Sequence, residues 1–172
     1  MNIEIERKFK INNYQEIKQK VFDIGAELKN KSSNKDIYFK VPQEVENTKY
    51  LRIRIKNNET SGTLAYHEVV SDLETKEWET NISDAGITSE LIEKLGFEID
   101  AIVDKARETF KMKNVEIVID KVKNLGSFIE IEASNEKTLE EIRKKLNIPE
   151  SDVVSGCGYP DLLKKKYGKN KH

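Results

Sequence analysis

A single cysteine, Cys157, stands in a chain of 172 residues. One thiol excludes an internal disulfide and any multi-cysteine zinc site, and it suits a reducing compartment, so a cytoplasmic location is expected. Proline occurs three times and glycine eight times. With no Ser-rich or low-complexity run either, no interdomain linker is expected, and 1–172 reads as a single domain with a basic tail from about 164 to 172. No apolar run approaches a membrane span, and the first fifteen residues hold too many charges for a signal peptide. Thirty basic and thirty-one acidic residues leave a net charge of -1, which argues against a nucleic acid or a membrane as partner.

What the chain does have is alternation. In Ile3-Glu4-Ile5-Glu6-Arg7-Lys8-Phe9 the apolar residues, with Arg7, fall on one parity and Glu4, Glu6 and Lys8 on the other, the period of a β-strand. Glu and Lys are poor strand formers, so a charged strand face needs a reason, and solvent is the simplest. The same device recurs. Asp36, Tyr38 and Lys40 alternate with Ile37, Phe39 and Val41; Arg52 and Arg54 with Leu51, Ile53 and Ile55; Glu77 and Glu79 lie opposite Trp78 and Ile82. His67 shares its parity with Thr63 and Ala65, against Leu64 and Tyr66. Later strands are expected over about 98–112, 115–120 and 127–133, carrying Lys105, Arg107, Asp120, Glu130 and Glu132. Helices are expected over 14–28 (Ile17, Val21, Ile24, Leu28), about 84–95 (Ile87, Leu91, Ile92, Leu95) and about 136–146 (Leu139, Ile142, Leu146), with a last short one holding Leu162 and Leu163.

From Arg52 to Lys105 is 53 positions, and the same interval separates Arg54 from Arg107, His67 from Asp120, Glu77 from Glu130 and Glu79 from Glu132. Residues 49–96 and 102–149 therefore read as two copies of a three-stranded meander followed by a helix. One-sided helices need the oily strand face, so the charged faces must point away from them. In an open sheet those faces are wet; in a closed barrel, which removes unpaired edges, they line the interior. The fold expected is α+β: an eight-stranded antiparallel barrel, charged inside, with amphipathic helices packed outside.

The interior set would hold seven acids (Glu4, Glu6, Glu77, Glu79, Asp120, Glu130, Glu132) and five bases (Lys8, Arg52, Arg54, Lys105, Arg107). Burying such groups costs several kcal/mol per ion unless they are paired, so stability is no reason to collect them. Surplus carboxylates suit Mg2+ or Mn2+, and Arg and Lys clusters suit phosphate oxygens. One or two such ions and a chelated triphosphate fit that composition.

The Glu4, Glu6, Lys8 spacing, E-x-E-x-K, resembles the signature of the CYTH superfamily, the triphosphate tunnel metalloenzymes, which join class IV adenylyl cyclases with thiamine, inorganic and RNA triphosphatases. Arg52-x-Arg54, Glu77-x-Glu79, Lys105-x-Arg107, Asp120 and Gly126 through Glu132 are similar to that family's later landmarks, in order. The resemblance covers about residues 1–165. It implies an eight-stranded tunnel in which Glu4, Glu6, Glu130 and Glu132 are metal ligands and Lys8, Arg52, Arg54, Lys105 and Arg107 hold a triphosphate. Glu77, Glu79 and Asp120 match positions that hold metal or orient the bases, and Lys8, Lys105 and His67 are the expected catalytic groups. The chain departs from the family at His67, where Lys is usual: an imidazole there acts as an acid or base near pH 7, or only hydrogen-bonds.

Asp36-x-Tyr38 and Gly158-Tyr159-Pro160-Asp161-Leu162-Leu163 resemble elements of the class IV cyclase branch, with Gly158 where Ser is common. ATP conversion to cyclic AMP and pyrophosphate is the leading expectation. Hydrolysis of inorganic, thiamine or nucleoside triphosphate, and non-catalytic triphosphate or nucleotide binding, stay open beside it. A cyclase needs a nucleoside pocket, for which Tyr38, Tyr50, Tyr66 and Tyr159 are candidate walls. Lys164, Lys165 and Lys166 read as a solvated end or a lid over the mouth, and a homodimer is in keeping with the cyclase branch.

Overall fold

The alternating stretches form the strands they predict, and the strands close on themselves. The computed structural model describes residues 1–41, 49–155 and 158–168; Cys157 and the end of the basic tail, 169–172, lie outside the described residues. Eight strands are present: β1 (Asn2–Ile11), β2 (Glu27–Phe39), β3 (Lys49–Lys56), β4 (Gly62–Val69), β5 (Glu74–Ile82), β6 (Ile99–Met112), β7 (Val115–Val122) and β8 (Gly126–Ala133). They pair antiparallel throughout, in the closed order β1-β5-β4-β3-β2-β6-β7-β8. The meanders β3–β4–β5 and β6–β7–β8 are thus joined by β2 on one side and β1 on the other. β4 at 62–69 and β7 at 115–122 stand 53 positions apart at both ends, the interval found between the charged positions.

Helices α1 (Tyr14–Asp23), α2 (Ala85–Lys94), α3 (Glu136–Lys145) and α4 (Tyr159–Tyr167) complete the chain, with a short 3-10 turn at Glu150–Asp152. Asn13, Asp84 and Asn135 cap the first three, each side-chain oxygen accepting a backbone N–H at 3.2, 2.8 and 2.9 Å. α1 is shorter than its apolar spacing suggests. Gly25, at φ +88°, leaves the helical region and lets the chain turn into β2, so Leu28 belongs to the strand. Among the described residues no helix is long and apolar enough to cross a membrane.

Most of the hydrophobic core lies outside the barrel. Under α1 and α3, Phe9, Phe110, Ile117, Ile129, Ile131 and Leu139 are fully buried in one cluster. Each such side chain contributes roughly 1.5–3 kcal/mol on leaving water. A smaller cluster sits under α2: Ile37, Phe39, Ile53, Ala85 and Ile92. Here the expected helix face is corrected. Ile87, Leu91 and Leu95 point to solvent; of the expected residues Ile92 alone is buried, and the helix seats on it with Ala85 and Ser89. Small residues win the contact because the helix runs close to β4, where a Cβ on Gly62 would lie 3.4 Å from that of Ala85. A third cluster, Tyr38, Val103, Val122, Phe128 and Tyr159, lies on the charged parity of the strands and fills the barrel at the α4 end. Lys164 to Tyr167 belong to α4 rather than to a loose end; Lys164 pairs with Asp100 at 2.5 Å.

Candidate active site

Because side chains alternate across a strand, closure brings the charged positions of all eight strands into one space. A cavity of about 320 Å3 runs through the bore, lined by Glu4, Glu6, Lys8, Arg52, Arg54, His67, Glu77, Glu79, Lys105, Arg107, Glu130 and Glu132. Asp120 is fully buried behind Arg107 and Lys105. Glu116 and Val118 from β7 and Thr75 from β5 join the lining, with Ser71, Asp72 and Leu73 of the β4–β5 turn at the rim. Tyr38, Tyr50 and Tyr159 line it too. Tyr66 does not; it packs on Trp78, with ring centroids 5.9 Å apart, on the parity that faces outward.

At the α4 end the ions form one connected network. Arg54 donates from Nε and Nη2 to the two oxygens of Asp36, at 2.7 and 2.8 Å. Arg107 does the same to Asp120, at 2.8 and 2.6 Å, and reaches Glu130 at 2.7 Å. Lys105 Nζ sits 3.2 Å from Asp36 and 3.4 Å from Asp120, and Lys8 Nζ lies 3.1 Å from Glu130. Burial alone would raise the Asp36 and Glu130 carboxyls, but the adjacent cations hold both well below the usual range. Burial, with Arg107 and Arg54 nearby, pulls Lys105 down to about 8. Tyr159 enters from α4, its hydroxyl 2.9 Å from Asp120 and 3.2 Å from Glu130. Its ring lies under the ammonium groups of Lys8 and Lys105, 4.4 and 4.9 Å from the centroid. Gly158 makes room for this entry: a Cβ there would come within 3.2 Å of the Tyr50 ring.

Away from that network the acids outnumber their partners. Burial, then Glu77, Glu132 and Glu6, push Glu4 up to about 8. Glu6 is raised by burial and Glu130, and Glu132 by burial, Glu116 and Glu6. Crowded carboxylates without matching bases have the donor chemistry of a hard divalent cation. Among the described residues no three His, Cys, Asp or Glu side chains are gathered tightly enough to hold a metal ion unaided. The set fits an ion that takes part of its shell from phosphate oxygens and water, as Mg2+ commonly does.

Two buried atoms point to where an anion would dock. Arg52 Nη2 is only 3.5 Å from Glu77 and from Glu79, and its Nε has no hydrogen-bond partner. His67 Nε2 lies 3.3 Å from Glu77 without hydrogen-bonding geometry. Burial, with Arg52 and Arg54 beside it, lowers His67 to about 3, which favours the neutral imidazole at pH 7. Sequence reasoning did not give Asp36 its role as the partner of Arg54. Its parity with Tyr38 placed it inside, but both its cations come from other strands.

A model of the CYTH domain matches residues 2–156. A Methanocaldococcus jannaschii protein provisionally named an adenylate cyclase is 30% identical over 164 residues, covering 88% of this chain and 94% of its own. The solved structure of the PH1012 protein from Pyrococcus horikoshii is 31% identical, with a TM-score of 0.85 over 92% of this chain and 98% of that one. A more distant Hippeastrum protein, provisionally named an adenylyl cyclase and described as having a dominant triphosphatase activity, is 15% identical. It has a TM-score of 0.65 over 99% of this chain and 98% of that one, and at that identity shares the fold alone. With the matched region spanning nearly all of the barrel, this chain belongs to the CYTH domain family.

Proposed function

We propose that the bore takes a nucleoside triphosphate chelated to Mg2+ or Mn2+ and converts it, as an adenylyl cyclase does, to a cyclic nucleotide and pyrophosphate, with ATP as substrate. The observation that carries this reading is that apolar side chains share one cavity with the ions. Tyr50, Val69, Leu73 and Val154 line the same space as the ions. Leu73 and Val154 flank β1 together, Leu73 accepting the N–H of Glu6 at 2.9 Å and Val154 donating to the carbonyl of Lys8 at 2.8 Å. A bare polyphosphate needs only the charged groups, whereas a nucleoside uses the apolar ones. The provisional name of the Methanocaldococcus relative supports the same reading.

Arg52, the least engaged guanidinium, is the readiest to take phosphate oxygens. Asp36 and Asp120 fix Arg54 and Arg107, so their remaining N–H groups are aimed before substrate arrives. Lys8 and Lys105 add positive charge from the same side. Glu4, Glu6, Glu77, Glu79, Glu130 and Glu132 are the carboxylates that would hold the ion, and Asp120 orients bases. When bound, the ion neutralises phosphate charge and lowers the pKa of the attacking hydroxyl. The 3′-oxygen bonds to the α-phosphorus as the bond to pyrophosphate breaks. The hydroxyl proton passes to an ionised carboxylate of the lining. His67 serves as a neutral hydrogen-bonding partner of the substrate. A cytoplasmic setting, where ATP is at hand, suits this chemistry.

Incubation with ATP, then with tripolyphosphate, in Mg2+ or Mn2+ tests the proposal. Cyclic AMP with equimolar pyrophosphate is expected. Orthophosphate from either compound would replace the cyclase by a triphosphatase, and tight binding without turnover would make the bore a binding module.

A further inference from the structure

Tyr159 reaches the bore from the first turn of α4, and the backbone on either side of it is held by one phenol. The hydroxyl of Tyr50 donates to Oδ2 of Asp161 at 2.6 Å and accepts the backbone N–H of Gly158 at 3.1 Å. That N–H is shared with the same carboxylate oxygen, 2.9 Å away. The first N–H groups of a helix have no partner within it. Asp161, the third residue of α4, takes up the one at Gly158, as in half of a capping box, and glycine has no side chain to supply the other half. Tyr50 closes the ring of three groups instead. Tyr38 braces its ring edge-on, with centroids 6.2 Å apart. Glycine and phenol fit each other: a Cβ at 158 would lie 3.2 and 3.3 Å from Cζ and Cε1 of Tyr50.

We propose that Tyr50 is a positioning residue for the phosphate-binding lysines: its hydroxyl pins Gly158 and Asp161, and so sets the Tyr159 ring beneath Lys8 and Lys105. Gly158 precedes Tyr159 by one position and Asp161 follows it by two, so fixing both fixes the backbone that carries the ring. The ring lies 4.4 and 4.9 Å from the two ammonium groups, which its face attracts. Without it, Lys8 is left to Glu130 and Lys105 to Asp36 and Asp120, acids that compete with phosphate for the same charge. Tyr50, Arg52 and Arg54 all line the bore from β3, so the strand that presents the guanidinium groups also holds the ring. Charge aimed in advance is what an anion site gains from such fixing. The inference rests on the bore being a triphosphate site, but the placement of the ring is measurable without any ligand.

Proton NMR of the full chain, free of ligand and metal, is the first test. The Cε protons of Lys8 and Lys105, next to the two ammonium groups, should be shifted upfield by the Tyr159 ring. Tyr50→Phe keeps the ring at position 50 and removes only the hydroxyl, and both lysine resonances should move downfield. Asp161→Asn should move them the same way, and the two substitutions combined should go no further than the larger single shift, because they break one latch. In Mn2+, Tyr50→Phe should then bind tripolyphosphate about tenfold more weakly than wild type. Tripolyphosphate has no nucleoside to lay on the position-50 ring, so a wall role for that ring does not account for such a loss. Lysine resonances that keep their wild-type positions in Tyr50→Phe overturn the proposal. So do additive shifts, or an unchanged affinity where the resonances have moved. Wild type that binds no tripolyphosphate overturns the function proposed for the bore, while the resonances still decide where the ring is held.

Discussion

Asp36 takes both prongs of Arg54, Nε at 2.7 Å and Nη2 at 2.8 Å. The carboxylate is fully buried, and Lys105 approaches it at 3.2 Å. Breaking a buried pair from one side leaves the other charge uncompensated, at a cost of roughly 3–5 kcal/mol. Asp36→Ala should therefore lose about that much in urea unfolding. Glu79→Ala, at a half-exposed and weakly engaged carboxylate, should lose under about 1 kcal/mol. Equal losses would mean that Asp36 does not anchor the base network.

Tyr159 makes a second, separable contribution. Tyr159→Phe removes the hydroxyl beside Asp120 and Glu130 but keeps the ring beneath the two ammonium groups. A hydrogen bond to a charged group contributes about 1.5–3 kcal/mol, so the variant should lose an amount in that range. Tyr159→Leu should lose more. A phenylalanine variant as stable as wild type would show that the hydroxyl is idle.

His67 should not titrate across the neutral range. Its pKa of about 3 keeps the ring neutral from acid pH upward, so its imidazole carbon proton should hold one chemical shift between about pH 5 and 8. Its folded value lies below the unfolded one. Protonation in acid therefore favours the unfolded chain, and this group's contribution to stability falls as pH drops below about 6.5. A midpoint near 6.5 in the folded protein would restore His67 as an acid or base for the reaction.

Divalent ions should stabilise the fold in a pH-dependent way. Glu4 is raised from 4.5 to about 8, so the folded chain keeps a proton that the unfolded chain releases. The resulting stability is full below about 4.5 and is lost as pH rises through about 8. An ion competes with that proton, so the gain in melting temperature with Mn2+ should be larger near pH 8 than near pH 5.5, by roughly a few degrees. Glu6→Ala should abolish the gain and the metal-dependent activity while leaving the fold nearly intact. A gain that is the same at both pH values, or that survives Glu6→Ala, would place the ion elsewhere.

Much of this architecture is legible in the residues. The period of two exposes the charged face of each strand, and the 53-residue interval matches β4 to β7 and sets Arg54 beside Arg107 in role. The first half of β2 is not legible: Leu28 keeps helical spacing with Ile24, and Lys29 to Asp36 is polar on both faces, so no alternation marks it as a strand. Only the turn at Gly25 and pairing with β3 and β6 decide it. The roles of Asp36 and Tyr159 depend on partners far away in sequence, Lys105 at 69 positions for Asp36 and Lys8 at 151 for Tyr159, which no local pattern reports. Helix α2 misleads for a different reason. Of its large apolar residues only Ile92 meets the barrel, beside the small Ala85 and Ser89.

The most direct test of the central claim is a calorimetric titration of tripolyphosphate into wild type and Arg52→Ala, with and without Mn2+. One equivalent should bind wild type in Mn2+, and Arg52→Ala should weaken binding at least about tenfold, or roughly 1.4 kcal/mol. Affinity that is unchanged by the substitution and indifferent to Mn2+ would contradict a bore built to hold a chelated triphosphate.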